Sequence, residues 1–139
     1  MEKAPKYTRH TYSYIALRKA VGWIGILLPF ALSFGASVIF NEDQQNSMSH
    51  YYYTSMRNLF VGALCAVGLF LFFYAGYDKW DDWAGNLAGA FAIGIAWLPT
   101  TEYGIDTIGI LHFVCAVIFF LILACISIFL FTKTDKGRN

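Results

Sequence analysis

Four long apolar runs separated by short polar stretches organise this chain. Val21 to Phe40, Leu59 to Tyr77, Trp83 to Pro99 and Ile108 to Phe131 contain no aspartate, glutamate, lysine or arginine. Each approaches the roughly 20 predominantly apolar residues that a helix needs to cross a bilayer. A transmembrane barrel would instead show segments of about 10 residues alternating apolar and polar. Stretches such as "GLFLFFYAG" and "AVIFFLILACISIFLF" are apolar on every side. The pattern predicts an all-α fold, an integral membrane four-helix antiparallel bundle in one domain (21–131). Residues 1–20 form a basic amphipathic segment before it and 132–139 a short tail.

Apolar burial cannot drive helix association inside lipid, so contact faces are expected where small residues let backbones approach. Gly85, Gly89, Ala92 and Ala96 make such a face on the third run, while Leu87, Phe91, Ile95 and Leu98 are expected toward lipid. The first run offers Gly22, Gly25, Pro29, Ser33 and Ala36; the second Gly62, Ala66 and Gly76; the fourth Gly109, His112, Ala116 and Ser127. Pro29 removes a backbone donor in mid-helix, a defect that membranes tolerate.

Composition sharpens the membrane reading. Of 139 residues, 58% are hydrophobic and only 14% charged, against about a quarter charged in an ordinary soluble domain. The charges are also segregated. Lys3, Lys6, Arg9, Arg18, Lys19, Lys79, Lys133, Lys136 and Arg138 fall on one side of the four runs and only Arg57 on the other. Lysine and arginine are retained on the cytoplasmic side, which places both termini inside and leaves Glu42, Asp43, Glu102 and Asp106 outside. The net charge of +1 conceals this asymmetry. The first run has the basic start and small-residue end of a signal peptide, but it is long enough to span and is expected to be retained.

Tyr74, Tyr77, Trp80 and Trp83 mark the inner boundary as an aromatic belt, with Asp78, Asp81 and Asp82 as solvated charges between them. Before the first run, Tyr7, His10, Tyr14 and Leu17 share a helical stripe flanked by bases, a pattern suited to an anionic leaflet. Cys65, Cys115 and Cys125 all lie in apolar runs and read as packing residues. No zinc or haem spacing, Gly-rich phosphate loop or nucleophile elbow is present. No cofactor, metal or nucleic-acid partner is implied.

Candidate chemistry gathers at the outer end. "SHYYYTSMRNLF", Ser49 to Phe60, packs a histidine, three tyrosines and an arginine between two runs. The connection from Asn41 to Arg57 is longer than the about 2–8 residues usual between bundle helices. Arg57 is the sole outer base, and a cation at the hydrocarbon edge calls for a partner, with Glu102 or Asp106 in reach, or else an anionic lipid or ligand. His112 lies about one turn inside the outer end of the fourth run, level with Ser37. His50, Arg57, Asn58, Glu102, Asp106, His112, Ser33 and Ser37 are therefore expected to converge on an outward-opening pocket. Tyr51, Tyr52, Tyr53, Arg57, Asn58, His112 and Ser37 form its ligand or partner rim, while a histidine simply bonded to a serine is the competing account.

The words "SHYYYTSMRNLFVG", "GYDKWDDWAGNLAG", "WLPT" and "SIFLFTKTD" resemble a group of small, functionally uncharacterised bacterial polytopic membrane proteins, over Ser49 to Asp135. The resemblance implies a bacterial inner-membrane location. A second likeness is to the seven-helix metal-dependent lipid hydrolases of the ceramidase and progestin-receptor superfamily, which use serine, aspartate and histidine at helix ends around zinc. That alternative would make His50, Glu102, Asp106 and His112 catalytic. No His-x-x-x-His pair exists here, and a catalytic zinc generally needs three protein ligands. The expected function is a non-enzymatic multi-pass protein, an accessory subunit or a lipid- or small-ligand-binding bundle. Its expected partners are membrane lipids, other membrane subunits or itself. An oligomeric transporter or channel is a further alternative, though the runs lack the charged pairs of ion pathways.

Overall fold

A computed structural model of the chain describes residues 8–74 and 79–130, with the backbone alone for 8–15, 17, 18 and 130. The stripe around Tyr7, His10, Tyr14 and Leu17, the residues Gly76, Tyr77 and Asp78, and the tail from 132 lie outside the described side chains. Every described element is helical: α1 (Thr8–Phe34), α2 (Arg57–Phe72), α3 (Lys79–Trp97) and α4 (Thr107–Leu130). Two short irregular turns stand between α1 and α2, a π turn at Gly35–Ile39 and a 3-10 turn at Met48–Tyr53. Residues Lys19–Ile39 and Thr107–Phe129 are long and apolar enough to cross a membrane, while Arg57–Phe72 is apolar but shorter. α1 runs unbroken from Thr8 through Pro29, so the described part of the basic segment (8–20) continues into the first apolar run as one helix.

The end of α1 has a defined stop. Phe40 N–H donates to Gly35 C=O (3.2 Å) and Glu42 N–H to Ala36 C=O (2.9 Å), around Asn41 at φ 54°. Asparagine accepts this left-handed conformation better than most residues, and the six-residue bond closes the carbonyls that a helix end leaves open. The end of the Met56 thioether packs directly over Gly35, so that a Cβ there would have to displace it.

α2, α3 and α4 pack each on the one before it, and among the described residues α1 packs on α2 and the 3-10 turn but on neither α3 nor α4. The α2–α3 crossing is set by glycine on both sides. A Cβ on Gly89 would lie 2.7 Å from Gly68 C=O, and one on Gly68 would lie 3.0 Å from Gly89 C=O. Backbones this close are the packing mode of helices in lipid. Gly85, Ala92 and Ala96 are buried along the same helix. Gly94 meets Cys115 of α4, where a Cβ would sit 3.1 Å from the sulfur.

Several expected faces are different. A Cβ added to Gly22, Gly25 or Gly62 would meet nothing within 4 Å, so these positions are open. Ala36 is buried as expected, with Gly35 beside it in the π turn, but α1 itself is buried through Leu28 and Leu32, and α2 through Phe60, Val67, Gly68 and Leu71. Ser127 is exposed, and α4 is buried at Gly109, His112, Cys115 and Phe119. Ile95, expected toward lipid, is buried at 5% exposure, as is Asp81 at 4%, in the first turn of α3 where a helix favours an acid. The shift on α1 follows from its having one helix to lean on: only the stripe facing α2 and the turn is covered.

Candidate functional site

The three consecutive tyrosines are placed by the 3-10 turn. With 3.0 residues per turn, successive side chains leave such a helix about 120° apart, and Tyr51, Tyr52 and Tyr53 go three ways. Tyr51 is buried in the core at 5% exposure, its hydroxyl accepting the Gln45 N–H at 3.4 Å. Tyr53 crosses to the α3–α4 loop and donates to Thr100 C=O. Tyr52 turns outward and meets Arg57, the first residue of α2. The rings of Tyr52 and Tyr53 meet edge to face at 5.5 Å.

The rest of the connection is tied locally. Thr54 Oγ1 donates to Tyr51 C=O (2.9 Å) and accepts the Met56 N–H (3.1 Å). Glu42 accepts from both the Ser55 hydroxyl (2.6 Å) and the Ser55 N–H (3.2 Å). These bonds draw the two ends of the connection together and fix where α2 begins. Its N-cap, Met56, offers no polar side chain.

Arg57 does not pair with Glu102 or Asp106. Its Nη2 donates to the Tyr52 hydroxyl at 2.7 Å, and its guanidinium carbon stands 4.3 Å from the centre of the same ring. No ion pair to it is formed among the described residues. Asp106 is otherwise engaged: its Oδ1 accepts the Gly109 N–H at 2.7 Å and the Thr101 hydroxyl at 3.5 Å, capping α4. A capping aspartate before an apolar run is readable from sequence, and the competing pairing with Arg57 hides it. Gly109 leaves room for that cap, since a Cβ there would strike Thr101 and Asp106. Glu102 is exposed. Burial first, then the charges of Glu102 and Asp106, hold the Tyr53 phenol above its ordinary value, with Arg57 pulling the other way.

His112 is 1% exposed and fully bonded. Its Nδ1 lies 2.7 Å from Leu98 C=O at the end of α3, and its Nε2 2.9 Å from the Ser49 hydroxyl in the 3-10 turn. The neutral ring with hydrogen on Nδ1 satisfies both, donating to the carbonyl and accepting from the serine. This side chain therefore ties α4 to α3 and to the turn. His50 sits apart, its Nδ1 2.6 Å from the Ser47 hydroxyl. Ser33 and Ser37 remain with α1 and its π turn, away from α4.

The eight residues expected to converge are thus dispersed, and no three histidine, cysteine or acidic side chains are close enough together to hold a metal ion among the described residues. Tyr52, Arg57 and Asn58 do come together, at one end of a cleft of about 410 Å³ between α2 and α3. Val61, Gly62 and Ala96 form the rest of its lining, with Trp97. Gly62 and Trp97 are not legible in the sequence as parts of a site: the glycine reads as packing and the tryptophan as one more apolar residue. No protein-family model, curated protein or solved structure matches the chain.

Proposed function

We propose that the chain is a non-enzymatic multi-pass protein of a bacterial inner membrane, crossing four times with both ends inside. Its outer rim serves as a binding site for a lipid or small ligand, in the manner of an accessory subunit. One observation carries the binding half of this reading: Arg57 is held against Tyr52 in the lining of a cleft and has no carboxylate partner among the described residues. A cation at the edge of hydrocarbon is costly unless something offsets it. The topology rests on the segregation of lysine and arginine in the sequence. The sequence resemblance to small polytopic bacterial proteins supports the location.

The test is accessibility in intact cells, in a background with the native cysteines replaced. Cysteines at Gln45 and Tyr103 should react with a membrane-impermeant reagent added outside, and one at Lys79 only after the membrane is opened. Reaction of all three from the same side would overturn the four-span arrangement.

A further inference from the structure

The lining of the α2–α3 cleft is divided along its length. Tyr52, Arg57 and Asn58 supply one polar end, carrying a full positive charge, a hydroxyl and an amide. About one helical turn further along α2, some 5.4 Å, the lining becomes Val61 and Gly62 with Ala96 opposite, and no charged side chain belongs to it. A Cβ on Gly62 would meet nothing within 4 Å, which leaves an open channel rather than a packed seam. Trp97, 73% exposed, flanks it. The volume falls within the about 300–1,000 Å³ usual for small-molecule sites.

Arg57 is also constrained. The stack on Tyr52 and the 2.7 Å bond take one guanidinium donor and leave the remainder of the planar fork available. Guanidinium suits the paired oxygens of a phosphate better than a point charge does. An occupant that satisfies both ends must be an anion at one end and a hydrocarbon at the other. A free phosphate would satisfy the first end only.

We infer that this cleft holds one anionic glycerophospholipid, its phosphodiester on Arg57 and Asn58 and the upper part of one acyl chain over Gly62. The inference deepens the proposed binding role of the rim and rests on it. Anionic headgroups are favoured over zwitterionic ones because a choline would bring a cation toward Arg57.

The experiment places the full chain in nanodiscs of phosphatidylcholine containing chain-brominated phosphatidylglycerol, or chain-brominated phosphatidylcholine in the same proportion. Bromine quenches tryptophan at short range, and the difference between the parent and Trp97→Phe isolates Trp97. The expected result is an approximately fivefold preference for the anionic lipid, the size set by one basic residue at an anionic surface. Arg57→Gln should reduce the preference to parity. Asn58→Asp should do the same by placing a carboxylate beside the guanidinium, and an acid in the first turn of α2 favours folding. Gly62→Leu should lower quenching by both lipids, since it fills the channel.

Parity in the parent would overturn the anionic-lipid site, as would a preference that survives both Arg57→Gln and Asn58→Asp. Loss of the parent's preference on adding excess inorganic phosphate would assign the site to a soluble anion and overturn the lipid. No quenching of Trp97 by either lipid would instead remove the membrane placement on which the inference rests, a result distinct from parity.

Discussion

Arg57 and Asp106 show how much a single side chain's partner depends on backbone that the sequence does not display. Arg57 opens α2 and Asp106 precedes α4, and the two have opposite charge, yet Asp106 closes the first turn of α4 while Arg57 stacks on Tyr52. A double-mutant cycle of Arg57→Ala and Asp106→Ala, read as unfolding free energy in detergent, should therefore give a coupling near zero. Asp106→Ala alone should cost about 1 kcal/mol, the usual value of a lost N-cap. A substantial coupling would restore the ion pair. Tyr53 carries a second test at this level. Its folded phenol holds its proton more tightly than the unfolded one, so its contribution is fully present below the unfolded value near pH 10 and is lost as pH rises through the higher folded value. Tyrosinate formation also removes the donor to Thr100. Melting temperatures taken from about pH 8 to about pH 12 should fall more steeply at the alkaline end in the parent than in Tyr53→Phe. Identical alkaline limbs would remove Tyr53 as the cause.

Among the helices, glycine means opposite things at different places. Gly89 lies against Gly68 C=O and the Phe72 ring, whereas Gly25 has nothing within 4 Å. Gly89→Ala should cost about 1–3 kcal/mol through forced separation of α2 and α3. Gly25→Ala should be neutral or slightly stabilising, because alanine is the better helix former by about 1 kcal/mol. Phe91→Leu, at a half-buried position that needs only an apolar side chain, should cost less than about 1.5 kcal/mol. Equal melting temperatures for the two glycine variants would refute the assignment of faces. The apolar runs show where α2, α3 and α4 lie to within a few residues, since length and hydropathy are properties of each segment alone. The small-residue stripe of α3 is also visible because both of its neighbours cover it. The stripe of α1 misleads because periodicity identifies a face without identifying what lies opposite, and α1 has only α2 and the turn beside it. The Ser49–His112 bond joins positions 63 apart and no local signal connects them.

For the whole molecule, the succession of neighbours governs how the parts hold together. α2, α3 and α4 share close seams, and α1 is fastened near its C-terminal end through Leu28, Leu32 and the adjoining Gly35, leaving Trp23, Ile26 and Leu27 exposed. In a bilayer those exposed apolar side chains have lipid as their natural surroundings. The rim then occupies the level where the chain returns from π turn to 3-10 turn to α2, which is why its polar groups are spread over several short bonds instead of being gathered at one point.

That succession has a kinetic meaning. Structures whose contacts are mostly local close with little loop entropy and fold quickly, and a chain made at about 5–20 residues per second presents its helices in order. Each helix after α1 emerges to find its seam already waiting in the preceding one. The bonds that cannot form early are Tyr53 to Thr100 and Ser49 to His112. His112 must await α4, so its two hydrogen bonds act as a closing latch, made only once α4 has emerged and joining the 3-10 turn to the α3–α4 pair.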